Sequence, residues 1–274
     1  MRLYLLEKHL KNTYAHTYFF IKAQGGHVWK SDQLKKLPDE VKNKIFPYFK
    51  EFLALIQDNI LSIVIYGSAC GSDYLPKISD INSLVIFRQF EFSKLKKSLE
   101  VIARGISKRI TAPLVLTKED IQASVDIFPI EFLEMKENHV LIYGEDVLTS
   151  LDIPQKYLRL FCEQQVKGKL IRIRQAYLDA GLHHKRMEGL LKDSLTTLMP
   201  IFRTLLRLKG KAPPVNKLKI LEELCGEFQL DQDIFKTIYR NTTQEEKIVR
   251  CKIDFFIEEY LKELRKLARA VDRI

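Results

Sequence analysis

Long apolar runs are missing from this 274-residue chain. No stretch approaches the roughly 18 apolar residues that a membrane-crossing helix requires, so no span and no membrane partner are expected. The opening MRLYLLEKHLKNTY carries too much charge, over too short an apolar length, for a secretion signal. Cysteine is scarce as well. Cys70, Cys162, Cys225 and Cys251 lie far apart, with no C-x-x-C pair and no zinc spacing. A reduced, cytoplasmic protein is the reading these absences leave. There is no Walker lysine loop, no dinucleotide fingerprint and no His-x-x-x-His pair, and no internal repeat or low-complexity segment. His183-His184 falls at a helix junction without a carboxylate or cysteine at metal spacing, which makes it a cap or surface feature.

What the chain does have is enough apolar content, 46%, to bury a core, and a net charge of +10 that is unevenly spread. Residues 1–150 hold 20 basic and 18 acidic side chains, and residues 151–274 hold 25 and 17. An excess of that kind attracts anions such as nucleotides, nucleic acid or phosphorylated substrates, and it also describes ordinary solvated helix faces. The basic groups Lys169, Arg172 and Arg174, and Arg203, Arg207, Lys209 and Lys211, carry much of it.

Patterning divides the chain at about residue 150. Tyr18–Ile21 is a short apolar run and Gly25-Gly26 a turn. A helix is predicted from Leu37-Pro38 to Asn59, with Pro47 as a kink. Strands are predicted at Ile60–Tyr66, Ile81–Phe87 and Pro113–Leu116. A helix capped by Ser93 runs over Lys94–Ile106, and Thr117-Lys-Glu-Asp120 opens a short helix to Ala123 as a capping box. Ile127–Glu134 alternates like a strand that starts late or lies at an edge because of Pro129. From Gln155 onward only helical periodicity remains, over Gln155–Ala180, His184–Leu208, Lys217–Gln229, Asp231–Tyr239 and Gln244–Val271. Gly181 and Gly210 act as stops and Pro213-Pro214 as a loop. The expected fold is therefore α/β (α+β): a small mixed twisted sheet flanked by helices over 1–150, then an all-α helical bundle over 151–274.

The segment 60–87, ILSIVIYGSACGSDYLPKISDINSLVIF, carries the chemistry. An apolar strand ends at Gly67-Ser68, a loop follows, and Asp80 and Asn82 stand at alternate positions entering the next strand, where they share a face. This resembles the nucleotidyltransferase superfamily that includes DNA polymerase β and the kanamycin nucleotidyltransferase-like enzymes. Their pattern is strand, Gly-Ser or Gly-Gly, loop, Asp-x-Asp. Here the pattern reads Asp-x-Asn, as in an uncharacterised bacterial branch.

The resemblance implies roles for particular residues. Gly67 and Ser68 would bind the phosphates of a nucleoside triphosphate. Asp80 and Asn82 would hold Mg²⁺ or Mn²⁺, hard cations that take oxygen ligands. A third carboxylate, acting as metal ligand or base, is expected on a later strand beside that pair: Glu131, with Asp126 as the alternative. On the first helix of the C-terminal half, Glu163 and Lys167 lie four residues apart and share a face. The resemblance makes them a base and a phosphate contact, and the plain alternative is an intrahelical ion pair. Cys70, close to the turn but without a basic neighbour, is not a nucleophile.

Three functions follow. The first is metal-dependent transfer of a nucleoside monophosphate to a hydroxyl acceptor whose identity the residues do not specify. The second is nucleotide binding without transfer, because Asn82 removes an anionic ligand. The third is a basic RNA-binding or toxin–antitoxin component, for which nucleic acid would be the partner although no RNA-reading motif is present. Pairing of long C-terminal helices between two copies would give a homodimer.

Overall fold

The computed structural model of the chain describes residues 31–71, 74–76 and 78–274. The Tyr18–Ile21 run and the Gly25-Gly26 turn lie outside them. The chain has a mixed α/β fold with a four-stranded sheet, followed by a helical region. The described residues fall into two compact units: those up to 125 with 131–152, and 126–130 with 153–274. Among the described residues, no helix is long and apolar enough to cross a membrane.

In the first unit, α1 (Ser31–Leu34) precedes the long helix α2 (Asp39–Ile56). Pro38 stands at the N-cap of α2 and Pro47 is carried inside it. Its apolar face, Val41, Ile45, Phe49, Phe52 and Ile56, repeats at helical spacing and is fully buried. Strand β1 (Ile60–Tyr66) lies antiparallel to β2 (Asn82–Phe87) and to β4 (His139–Gly144). Strand β3 (Leu114–Thr117) lies parallel to β2, giving the order β3-β2-β1-β4. Ile63 and Ile65 of β1, Val85 and Phe87 of β2, and Val140 and Ile142 of β4 join the α2 face in one core. Val64, Leu84, Ile86 and Leu141 alternate with them and are equally buried, so the strands read as continuous apolar runs rather than as alternating ones.

Helix α3 (Phe92–Ile106) packs on α2. Their approach requires Gly105: a Cβ there would stand 2.5 Å from the Tyr48 ring. Helix α3 begins earlier than predicted. Its N-cap is Glu91, with no side-chain cap bond, so Ser93 lies inside the first turn. Helix α4 (Lys118–Ser124) follows β3 directly. Thr117 accepts from the Asp120 N–H and Asp120 accepts from the Thr117 N–H, the predicted capping box.

The predicted strand over Ile127–Glu134 is a helix instead, α5 (Pro129–Glu137). Pro129 occupies its first position, where the missing N–H costs nothing. Glu, Leu, Met and Lys in the following residues favour a helix. The alternation of Ile130 and Phe132 mimics a strand because both happen to be buried. The strand that follows, β4, went unpredicted.

The second unit contains α6 (Gln155–Ala180), α7 (His184–Leu208), α8 (Lys217–Phe228), α9 (Gln232–Thr242) and α10 (Ile253–Val271). Gly181 and Gly210 end α6 and α7 with φ of 56° and 74°, conformations that suit glycine. Residues 244–252 form turns and a 3₁₀ segment, so α10 starts nine residues later than Gln244. The buried centre includes Phe202, Phe235 and Tyr260 in edge-to-face contact. The Tyr260 hydroxyl meets Ser194 Oγ at 3.1 Å, and burial pushes its pKa well up.

Candidate functional site

The C-terminal end of β1 turns at Gly67, whose φ of 77° would strain any L side chain. Its N–H donates to Asn138 O at 3.3 Å. Residues Gly67–Cys70 form one 3₁₀ turn, closed by the Gly71 N–H on Ser68 O. Cys70 Sγ donates to Ile65 O at 3.2 Å, and burial pushes its thiol up to about 12. It is therefore no nucleophile at neutral pH.

Tyr66 is paired across the ladder with Asn82, so Gly67 and Asn82 are neighbours. A Cβ on Gly67 would lie 3.5 Å from Asn82 Nδ2. Asp80 precedes β2, and the intervening Ile81 is fully buried. In extended backbone that alternation puts Asp80 and Asn82 on the opposite, outward side. Asn82 therefore stands beside the Gly67 turn at one end of the sheet, with Asp80 two residues before it.

A third segment, not anticipated, completes this edge. Ile81 forms an isolated parallel bridge with Ile110, through Ile81 N–H to Arg109 O (2.9 Å) and Thr111 N–H to Ile81 O (3.0 Å). Ile110 is as buried as Ile81, so Arg109 and Thr111 flank it on the outward side. Asp-Ile-Asn at 80–82 thus faces Arg-Ile-Thr at 109–111 rung for rung. Arg109 Nε donates to Asp80 Oδ1 at 3.2 Å, and its Nη2 donates to Ile78 O. The Thr111 hydroxyl lies 3.1 Å from Asn82 Oδ1 and 3.2 Å from Ile81 O. That hydroxyl has one proton for two acceptors.

The backbone of Arg109 is left-handed, with φ of 66°. It sits in the turn that ends α3, where Ile110 N–H returns to Gly105 O at 3.0 Å. Between the bridge and the β2–β3 ladder the 110–114 side has one residue more than the 81–84 side. The extra residue falls at Ala112-Pro113, where Pro113 has no N–H to donate. The sequence signal for this segment was the polar-apolar-polar triplet Arg109-Ile110-Thr111 just before a strand, and no motif pointed to it.

The other nominated residues stand on helices or in a turn, not on the sheet. Glu131 is exposed on α5 and not on a strand. Neither β3 (LVLT) nor β4 (HVLIYG) carries a carboxylate. Asp126 is exposed in the turn between α4 and α5. Glu163, in the second unit, is held by Arg159 at 2.8 Å and Lys167 at 2.6 Å, and Lys167 also reaches Asp272 at 3.1 Å. These partners raise the Lys167 pKa and lower that of Asp272, through the Glu163 and Asp272 hydrogen bonds first in the case of the lysine and the Lys167 bond first in the case of the aspartate. Of the basic groups, Lys169 donates to Thr197 and Lys211 pairs with Glu227 at 2.6 Å. Burial, then Arg172, lowers the Lys169 pKa.

As a donor set, one carboxylate and one amide oxygen on a common edge fit a single Mg²⁺ or Mn²⁺ that keeps water and phosphate oxygens as its remaining ligands. They do not fit two ions. Among the described residues no three His, Cys, Asp or Glu side chains are grouped to hold a metal.

No family model matches this chain, and no curated protein matches it. The fold is similar to the crystal structure of spectinomycin adenyltransferase AAD(9) from Enterococcus faecialis with ATP and spectinomycin. The identity is 14% and the TM-score 0.49, over 83% of this chain and 98% of that one. A likeness of that degree assigns no activity or ligand to the chain.

Proposed function

We propose that the chain binds a nucleoside triphosphate at the end of β1 and transfers its nucleoside monophosphate to a hydroxyl acceptor, as the nucleotidyltransferase superfamily does. The observation that supports this reading is the pairing of Tyr66 with Asn82, which brings the Asn82 side chain next to the Gly67 turn, with Asp80 two residues before it. Without a Cβ at 67, phosphate oxygens can approach the backbone of the turn, and Ser68 adds a hydroxyl. Asp80 and Asn82 would hold one Mg²⁺ or Mn²⁺. Such an ion, when bound, neutralises charge on the phosphates and on the transferring phosphoryl group. Glu163 would accept the proton of the acceptor hydroxyl and Lys167 would meet a phosphate, roles that require Glu163 to leave its ion pairs with Arg159 and Lys167, and Lys167 those with Glu163 and Asp272.

A second reading is nucleotide binding without transfer. A specific feature favours it: beside Asp80, where a further acid would complete a two-ion site, stands Arg109.

Both readings are tested by thermal melting with and without ATP and Mg²⁺, using the other nucleoside triphosphates as controls. Nucleotide with metal should raise Tm, and Asp80→Ala should abolish the shift. No shift with any nucleoside triphosphate at millimolar concentration would remove both. Pyrophosphate release by the wild type, with an acceptor, separates transfer from binding alone.

A further inference from the structure

The Asp80 carboxylate already has a cation. Arg109 holds it at 3.2 Å and holds the Ile78 carbonyl as well. The ion pair is not sealed in the core, since its side chains are 45% and 53% exposed. Three backbone features fix the guanidinium there: the left-handed φ of Arg109, the return bond from Ile110 to Gly105, and the Ile81–Ile110 bridge. Thr111, one rung further, holds Asn82 in the same way. Among the described residues, Asp80 and Arg109 thus form an ion pair on the edge that also carries Asn82 and Thr111. A guanidinium has five N–H donors in a planar fork that matches phosphate oxygens.

We propose that Arg109 is the resident cation of this site. It holds Asp80 when no divalent ion is bound, and it donates to a phosphate oxygen when a polyphosphate occupies the turn. It thereby supplies the second positive charge that other such sites take from a second metal ion. This rests on the nucleotide reading above and narrows it: the ligand is a polyphosphate chain that binds with one divalent ion or with none. A divalent ion at Asp80 has to displace Arg109, so the arginine also weakens metal binding when no nucleotide is present.

The test uses the full chain with Arg109→Gln and Arg109→Lys, each checked for an unchanged melting temperature within a few degrees. Titration calorimetry with ATP and with inorganic triphosphate in EDTA reads the phosphate contact. Mn²⁺ binding without nucleotide, followed by electron paramagnetic resonance, reads the competition. Arg109→Gln should weaken metal-free ATP and triphosphate binding about tenfold, the loss of one charged hydrogen bond. It should tighten Mn²⁺ by about threefold, the worth of an exposed ion pair. Arg109→Lys, which keeps the charge, should restore part of the ATP affinity.

Arg109→Gln binding ATP in EDTA as the wild type does, with Mn²⁺ affinity also unchanged, would overturn the inference. Wild type that binds Mg²⁺–ATP but binds nothing in EDTA would overturn it too. In both cases the nucleotide reading stands, because that reading falls only if Mg²⁺–ATP itself fails to bind. If Arg109→Gln does not fold, Thr111→Val with Arg109 intact gives the second measurement. Metal-free ATP binding should then persist at near wild-type strength, and its disappearance would mean that the edge, not the guanidinium, holds the ligand.

Discussion

Asn82 and Thr111 stand at one level of two neighbouring segments, with the amide Oδ1 3.1 Å from the threonine hydroxyl. The other end of the amide faces Gly67. Asn82 is therefore the link between the β1 turn and the Arg-Ile-Thr segment, and its chemistry sets what the edge can hold. With the hydroxyl shared between Asn82 and Ile81 O, either end of the amide can satisfy Thr111. The edge can therefore present an N–H to a phosphate or an oxygen to a metal.

Asn82→Asp removes that choice. A carboxylate at 82 still accepts from the Thr111 hydroxyl, so the fold should hold. It adds a negative charge beside Asp80, which strengthens attraction for a divalent ion and repels bare phosphate. Mn²⁺ affinity without nucleotide should rise about tenfold, and ATP affinity in EDTA should fall by a similar factor, each about the strength of one charge-assisted contact. Calorimetry with the two ligands separately measures both. A variant that gains no metal affinity would mean that position 82 does not face the ion, which would leave Asp80 as its only protein ligand.

Lys167 offers a test of the second nominated pair. It holds Glu163 at 2.6 Å and Asp272 at 3.1 Å. If it also meets a phosphate, Lys167→Met should weaken Mg²⁺–ATP binding about tenfold, whereas Asp272→Asn, which frees the lysine from one partner, should not weaken it. Equal and unchanged affinity in both variants would reduce Glu163 and Lys167 to a helix ion pair, and nucleotidyl transfer would then need another proton acceptor.

Much of this arrangement was legible before any coordinates. Gly67, Asp80 and Asn82 are close in sequence, and the strand period alone predicts that the last two face one way. The helices from Gln155 and His184 announced themselves through periodicity and were ended by Gly181 and Gly210. The failures have separate causes. Glu131 was placed on a strand because Ile130 and Phe132 alternate, and a two-residue alternation cannot outweigh Pro129 at a helix start followed by good helix formers. Strand β4 was missed although Val140–Tyr143 is a continuous apolar run closed by Gly144. That glycine is obligatory, since a Cβ would meet Leu61 O at 1.9 Å. Arg109 and Thr111 were invisible for a different reason. Their partnership with 80–82 depends on a bridge across 29 positions of sequence and on a left-handed arginine, and neither feature has a local signature.

Next to the same unit's sheet, at the start of β4, His139 and Asp146 provide a pH-dependent contribution to stability. His139 is 8% exposed, and both its ring nitrogens face acceptors: Nδ1 meets Met135 O at 2.9 Å and Nε2 meets Asp146 Oδ1 at 3.1 Å. Burial pushes the Asp146 carboxyl up, but the Thr149 N–H and His139 outweigh it and hold the pKa below the ordinary 3.8. A depressed carboxylate stabilises the fold at pH above its unfolded value, and that stability is lost as the pH falls through the folded value. Melting temperature should therefore drop as the solution is taken from about pH 5 to below the ordinary carboxylate range. Asp146→Asn keeps an acceptor for the Thr149 N–H and removes the charge. At pH 7 it should cost about 1.5 kcal/mol, the worth of a charged hydrogen bond, and the gap from wild type should narrow as the pH falls and the carboxylate takes up its proton. Denaturant melts of both proteins at pH 7 and pH 3 measure this. A gap that stays constant across the range would show that Asp146 contributes by shape and neutral hydrogen bonding rather than by its charge.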